Sequence, residues 1–123
     1  MIPSEWKEAL VDVDRDTEFT GDDVDQYSAL VDLGDYYRYV MVFIPTITSS
    51  TVGLCLQRDG AIATVPIALN ILDDDATGSF LHATTAGTTS MYVIFEVGAI
   101  QYIRVKCGAD QAADRTFLVR GFN

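Results

Sequence analysis

The sequence predicts an all-β fold, an antiparallel, jelly-roll-like β-sandwich with at most one short N-terminal helix. Three observations carry this: apolar and polar residues alternate with period two, β-branched and aromatic residues gather in short runs, and turn-forming residues recur about every ten positions. No segment sustains the 3.6-residue apolar spacing that a long helix needs.

From the N-terminus, Ser4 is a candidate cap for a short helix over 5–10. From Val11 the pattern alternates. Val11, Val13, Thr17 and Phe19 fall on one face of a strand, with Arg15 the exception among them, and Asp12, Asp14, Asp16 and Glu18 on the other. Further strands are expected over 28–33, 36–44, 51–58, 61–72, 79–84, 90–97, 99–107 and 116–122. Asp59-Gly60 reads as a two-residue hairpin and Gly98-Ala99 as a second. Loops are expected at Gly34-Asp35, 73–78, 85–88 and 108–110. One domain spans 1–123, with no internal repeat, and residues 1–35 form either an arm or the first strands.

Charge is unevenly placed. Residues 1–35 hold eleven acidic and two basic side chains, whereas 36–123 hold seven and six, so almost all of the net charge of -10 belongs to the first third. Such acidity repels a phosphate backbone and argues against nucleic acid as a partner. No apolar run is long enough to cross a bilayer as a helix, and the start lacks the basic-then-apolar layout of a secretory signal, so no membrane partner is expected and synthesis is expected in the cytoplasm. Cys55 and Cys107 lie far apart inside apolar runs, which favours buried free thiols over a disulfide.

The usual signatures of catalysis are missing. His82 is the one histidine, without the partners of a zinc site, and neither Ser79 nor Ser90 sits in a nucleophile elbow. Glycine-rich phosphate loops do not occur. Paired carboxylates such as those of Asp73, Asp74 and Asp75 lie where solvated turn residues are expected, which makes a glycosidase a poor reading. The expectation is a protein that is not an enzyme and carries no cofactor and no metal.

Two features suggest surfaces that bind. Asp12, Asp14, Asp16 and Glu18 form a row of carboxylates whose simplest reading is a solvated face, with a basic protein partner or a divalent cation as alternatives. The spacing fails the calcium loop of a helix-loop-helix site, because Thr17 stands where its glycine belongs and Asp23 where its bidentate glutamate belongs. Arg104 and Lys106, on one strand face with Tyr102, together with Arg115 and Arg120, offer a match to this acidity within the chain or between subunits. In 39–44 both faces are apolar, so this strand is either covered on both sides, for instance by the N-terminal segment, or part of a subunit contact involving Tyr37, Tyr39, Met41 and Phe43.

The stretch from Gln101-Tyr102-Ile103-Arg104-Val105 through Lys106-Cys107-Gly108-Ala109-Asp110 to Arg115-Thr116-Phe117, with Phe43-Ile44-Pro45-Thr46-Ile47 and Asp59-Gly60, resembles small jelly-roll structural proteins of tailed bacteriophages. The likeness covers about the last two-thirds of the chain. It implies a capsid decoration, or cement, protein of the virion, assembled in the host cytoplasm. It further implies a homo-oligomer, with a trimer favoured, bound to the major capsid protein or other virion proteins. No catalytic residue is carried over. The alternatives are a tail or fibre component of the same particle, or a carbohydrate-binding module using Tyr27, Tyr36, Tyr37, Tyr92 and Tyr102.

Overall fold

The computed structural model describes residues 2–71, 79–80, 83–85 and 90–123. The described residues contain nine strands and no helix: β1 (Lys7–Val11), β2 (Val31–Ile44), β3 (Ser50–Gln57), β4 (Ile67–Ala68), β5 (Asn70–Ile71), β6 (Ser79–Phe80), β7 (Ala83–Thr85), β8 (Met91–Cys107) and β9 (Arg115–Phe122). All pairings are antiparallel. Seven strands form one sheet in the order β1-β9-β2-β8-β3-β4, with β7 also on β3, while β5 and β6 form a separate ribbon.

The frame is the ladder between β2 and β8, two strands much longer than sequence patterning suggests. Gly34 and Gly98, expected in a loop and a hairpin, lie inside continuous strands. Both have the positive φ that a turn would have used (88° and 85°), but it serves irregularity within the ladder instead. The register slips between Asp32 and Tyr37 and again between Tyr37 and Tyr39. Asp32 pins the first slip by accepting hydrogen bonds from the Gly34 N–H (2.8 Å) and the Gln101 side-chain amide (3.0 Å).

This ladder divides the sheet into two layers. On one side of the irregularity, residues 39–43 of β2 pair with β9, which pairs with β1. On the other, residues 102–107 of β8 pair with β3. Long strands that pass from one layer to the other through a bulge are a known way to build a sandwich. Adjacent residues stitch the layers: the Ser28 N–H donates to Val105 O and the Ala29 N–H to Leu10 O, both at 2.8 Å. The fold is thus all-β and sandwich-like.

Alternation then fills the core. Val40, Val42, Phe95, Phe117, Val119, Ala9 and Val11 from the first layer share one buried cluster with Val52, Leu54, Ile103, Val105 and Cys107 from the second. Gly121 is required where it stands, because a Cβ there would collide with the Tyr37 ring.

Several expectations are corrected. The helix over 5–10 is the strand β1, since Ala9 and Val11 point inward and Glu8 and Leu10 outward in its pairing with β9. The alternating strand from Val11 to Phe19 does not form. After Val11 the chain turns, with the Asp14 N–H donating to Asp12 Oδ1 (3.0 Å) and the Arg15 N–H to Asp12 O (3.0 Å). Aspartates offer the backbone such local partners in competition with a ladder. Asp12, Asp14, Asp16 and Glu18 therefore share no strand face. Asp59-Gly60 is not a two-residue hairpin either: Asp59 Oδ1 accepts from the Ala61 N–H (3.0 Å) and the Thr64 hydroxyl (2.7 Å), organising a wider loop before β4. His82, the 73–75 carboxylates and the 86–88 part of one loop lie outside the described residues.

Candidate functional site

The two layers differ in what covers their outer faces. Over the second layer, the outward residues of β3 and β8 are paired Gly53 with Lys106, Cys55 with Arg104, and Gln57 with Tyr102. This face is roofed by the chain itself. Arg104 is completely buried there. Its guanidinium donates to Glu18 Oε1 (3.0 Å), Ser28 O (3.2 Å) and Ile62 O (3.2 Å) and lies 4.7 Å from the centre of the Phe19 ring. Arg15 completes the roof by a two-pronged contact with Asp22 (2.6 and 3.1 Å) and a bond to Glu18 (2.7 Å). Lys106 stands 5.1 Å over the Tyr27 ring.

Part of the acidic segment is therefore a lid. Glu18 and Asp22 are spent on Arg104 and Arg15, Asp12 shapes a turn, and only Asp14 and Asp16 of the expected row are exposed. The match between Arg104 and this acidity, expected within the chain or between subunits, is made within the chain, and Arg15, the exception on its expected strand, proves to be the second cation of the same cluster. A cleft of about 380 Å³ lined by Thr17, Glu18, Phe19, Thr20 and Ala63 lies where the lid meets the 58–66 loop. Its one ionisable lining group, Glu18, is already engaged by both arginines.

Carboxylates do converge elsewhere. Oxygens of Asp23, Asp25 and Asp110 lie within 4.8 Å of one another. Asp23 Oδ1 accepts the Asp25 N–H (3.1 Å) and Asp110 Oδ1 the Gln26 side-chain amide (2.9 Å). A hard cation such as Ca²⁺ takes about six to eight oxygens, so these three could supply only part of its shell. Both cysteines are free and buried, and burial raises their thiols to about 11 for Cys55 and about 12 for Cys107, which makes them poor nucleophiles.

The outer face of the first layer is different. Register places Leu118, Phe43 and Tyr92 in one row across β9, β2 and β8, Arg120, Met41 and Ile94 in the next, and Phe122, Tyr39 and Glu96 in a third. Tyr39 stacks on Phe122 with centroids 5.2 Å apart, and Phe43 meets Tyr92 at 4.9 Å. Tyr92 remains 62% exposed and Ile94 50%. Trp6 flanks the patch under the Arg120 guanidinium, 4.8 Å from its ring centre.

No family model and no curated protein sequence matches the chain. The residues themselves must carry the functional argument.

Of the four residues expected at a contact surface, Tyr39, Met41 and Phe43 stand together on this face. Tyr37 does not, because the register slip beside it turns its ring inward onto Gly121. The N-terminal segment roofs the other layer, so this doubly apolar strand is not covered as one reading expected. Tyr92, Ile94, Leu118 and Phe122 also belong to the patch; of these, sequence reasoning singles out Tyr92 alone, and for sugar binding. The rule that flags 39–44, apolar residues on both faces, also flags Tyr92-Val93-Ile94-Phe95. Among the tyrosines considered for sugar binding, Tyr102 lies against Gly60, Tyr27 packs on Phe19 and Tyr37 faces the core, which leaves Tyr36 and Tyr92 exposed.

Proposed function

We propose that this chain is a non-enzymatic structural protein that binds other protein surfaces through the outer face of its first layer. Following the phage resemblance, we take it to be a capsid decoration protein that acts as a homo-oligomer on the shell of a virus particle. The observation that carries this reading is the patch of Tyr39, Met41, Phe43, Tyr92 and Ile94, left open by a chain that lays its own N-terminal segment over the other layer. Aromatic residues and methionine concentrated in one patch are the composition of the buried centre of a protein interface. A decoration protein gains avidity from many such modest contacts engaged at once.

The test is co-sedimentation of the purified chain with empty shells of the major capsid protein produced alongside it. Wild type is expected to pellet with shells and to raise their melting temperature, and Met41→Asp, which places a charge in the patch, is expected to stay in the supernatant. Equal pelleting of both proteins, or recovery with tails in place of heads, overturns the reading.

A further inference from the structure

We propose that the free edge of β8, residues 91–100, is a self-association site that pairs antiparallel with the same edge of a second copy of this chain. The inference deepens the preceding reading by naming the surface of its oligomer, and it rests on that reading only for the expectation that the chain self-associates.

The edge follows from topology. Residues 91–100 pair with β2 along one side, whereas β3 pairs with β8 only over 102–107. Among the described residues, no strand lies along the second side of 91–100. Alternate residues of an antiparallel strand turn their N–H and C=O groups away from the neighbour already bound, so this side presents a ladder half-made.

Proteins that remain single chains guard such edges with proline, lysine, inward-pointing charge or very short strands. From Met91 to Val97 there is no proline and no lysine, and the outward side chains include Tyr92 and Ile94, both at least half exposed. The one charge, Glu96, is matched by Arg38 at 3.3 Å, so the edge is locally neutral on a chain of net charge -10.

Charge then selects the occupant and the register. A strongly basic partner finds no anion on this edge that Arg38 has not already met, whereas a second copy meets an edge as apolar and neutral as its own. Pairing about a two-fold axis at Ile94 places Ile94 against its own counterpart and Tyr92 of each copy opposite Glu96 of the other. That register keeps the two glutamates apart, where an axis at Glu96 would bring like charges face to face. An axis at Ile94 also continues the apolar outer face across both copies. Such an edge joins two chains about a two-fold, in place of the trimer that the resemblance implies.

The test is sedimentation velocity of the full chain without any shell present, so its outcome is separate from the shell-binding experiment. Wild type is expected to sediment as two chains of 13.5 kDa. Ile94→Lys and Ile94→Glu, each setting like charges against each other across the axis, are expected to weaken association on the order of tenfold or more. An equal mixture of the two variants is expected to recover the dimer, because lysine then faces glutamate. Wild-type association is expected to tighten with added NaCl, which screens the repulsion between two acidic chains. If either variant fails to fold, amide exchange on wild type decides: protection over 91–100 is expected to rise with protein concentration. A wild-type mass of one or three chains, or a variant mixture that stays monomeric, overturns the proposal, as does protection over 91–100 that is independent of concentration.

Discussion

Arg104 and Glu18 lie 86 residues apart in the chain and meet at 3.0 Å beneath the outer surface of the second layer. Arg104 is fully buried, and among the described residues Glu18 is the one carboxylate in contact with it. Glu18 and Asp22 of the acidic first third are thereby drawn inward into a lid, while most of its other carboxylates, Asp14 and Asp16 among them, stay exposed.

Glu18→Ala is expected to destabilise the fold by about 2–3 kcal/mol, because it leaves a buried guanidinium with only carbonyl partners. Asp14→Ala and Asp16→Ala, at exposed positions, should each stay within about 0.5 kcal/mol of wild type. Urea unfolding of the three variants makes the comparison, and equal effects would mean that the lid is not held by Glu18.

Tyr37 and Gly121 form a matched pair. Gly121→Ala is expected to cost about 1–3 kcal/mol through the clash of the new methyl with the Tyr37 ring. In the Tyr37→Ala background the same change should cost far less, a non-additivity that a double-mutant cycle measures directly.

The buried thiols set an alkaline limit. Their folded values, about 11 for Cys55 and about 12 for Cys107, lie above the ordinary 9.0. The unfolded chain therefore loses these protons first, and stability is expected to fall as pH rises above about 9. Melting temperature followed from pH 8 to pH 10.5 should decline less steeply in a Cys55→Ala/Cys107→Ala variant. Neither thiol of the folded protein should react with a thiol reagent at pH 8, and both should react once it is unfolded.

Asp23, Asp25 and Asp110 repel one another at the surface. Asp110→Asn retains an acceptor for Gln26 and removes one charge, so it is expected to raise the melting temperature at low ionic strength. The gain should disappear in 1 M salt, where screening acts over about 3 Å.

Much of the architecture was legible from local pattern. β3 and β9 fall within a residue of their expected limits. The proposed contact surface was legible in part, since Tyr39, Met41 and Phe43 announced themselves by apolar residues on both faces. Glycine was where reading failed. Gly34 and Gly98 offered the same positive φ to a turn and to a bulge, and local sequence does not distinguish them. The Asp12–Glu18 pattern misled for a related reason, as its aspartates bond their own backbone more readily than they extend a ladder.

By itself, the sequence determined that this protein is all-β, that its core is built on period-two faces, and that its acidity lies at the front. Only the tertiary structure decided which apolar face stays open, that Tyr37 turns away from it, and that Glu18 is engaged by Arg104. Each of these depends on register and on contacts between residues far apart in the chain. Alternation states that a side chain points away from its neighbours, but strand pairing decides what lies on the side to which it points.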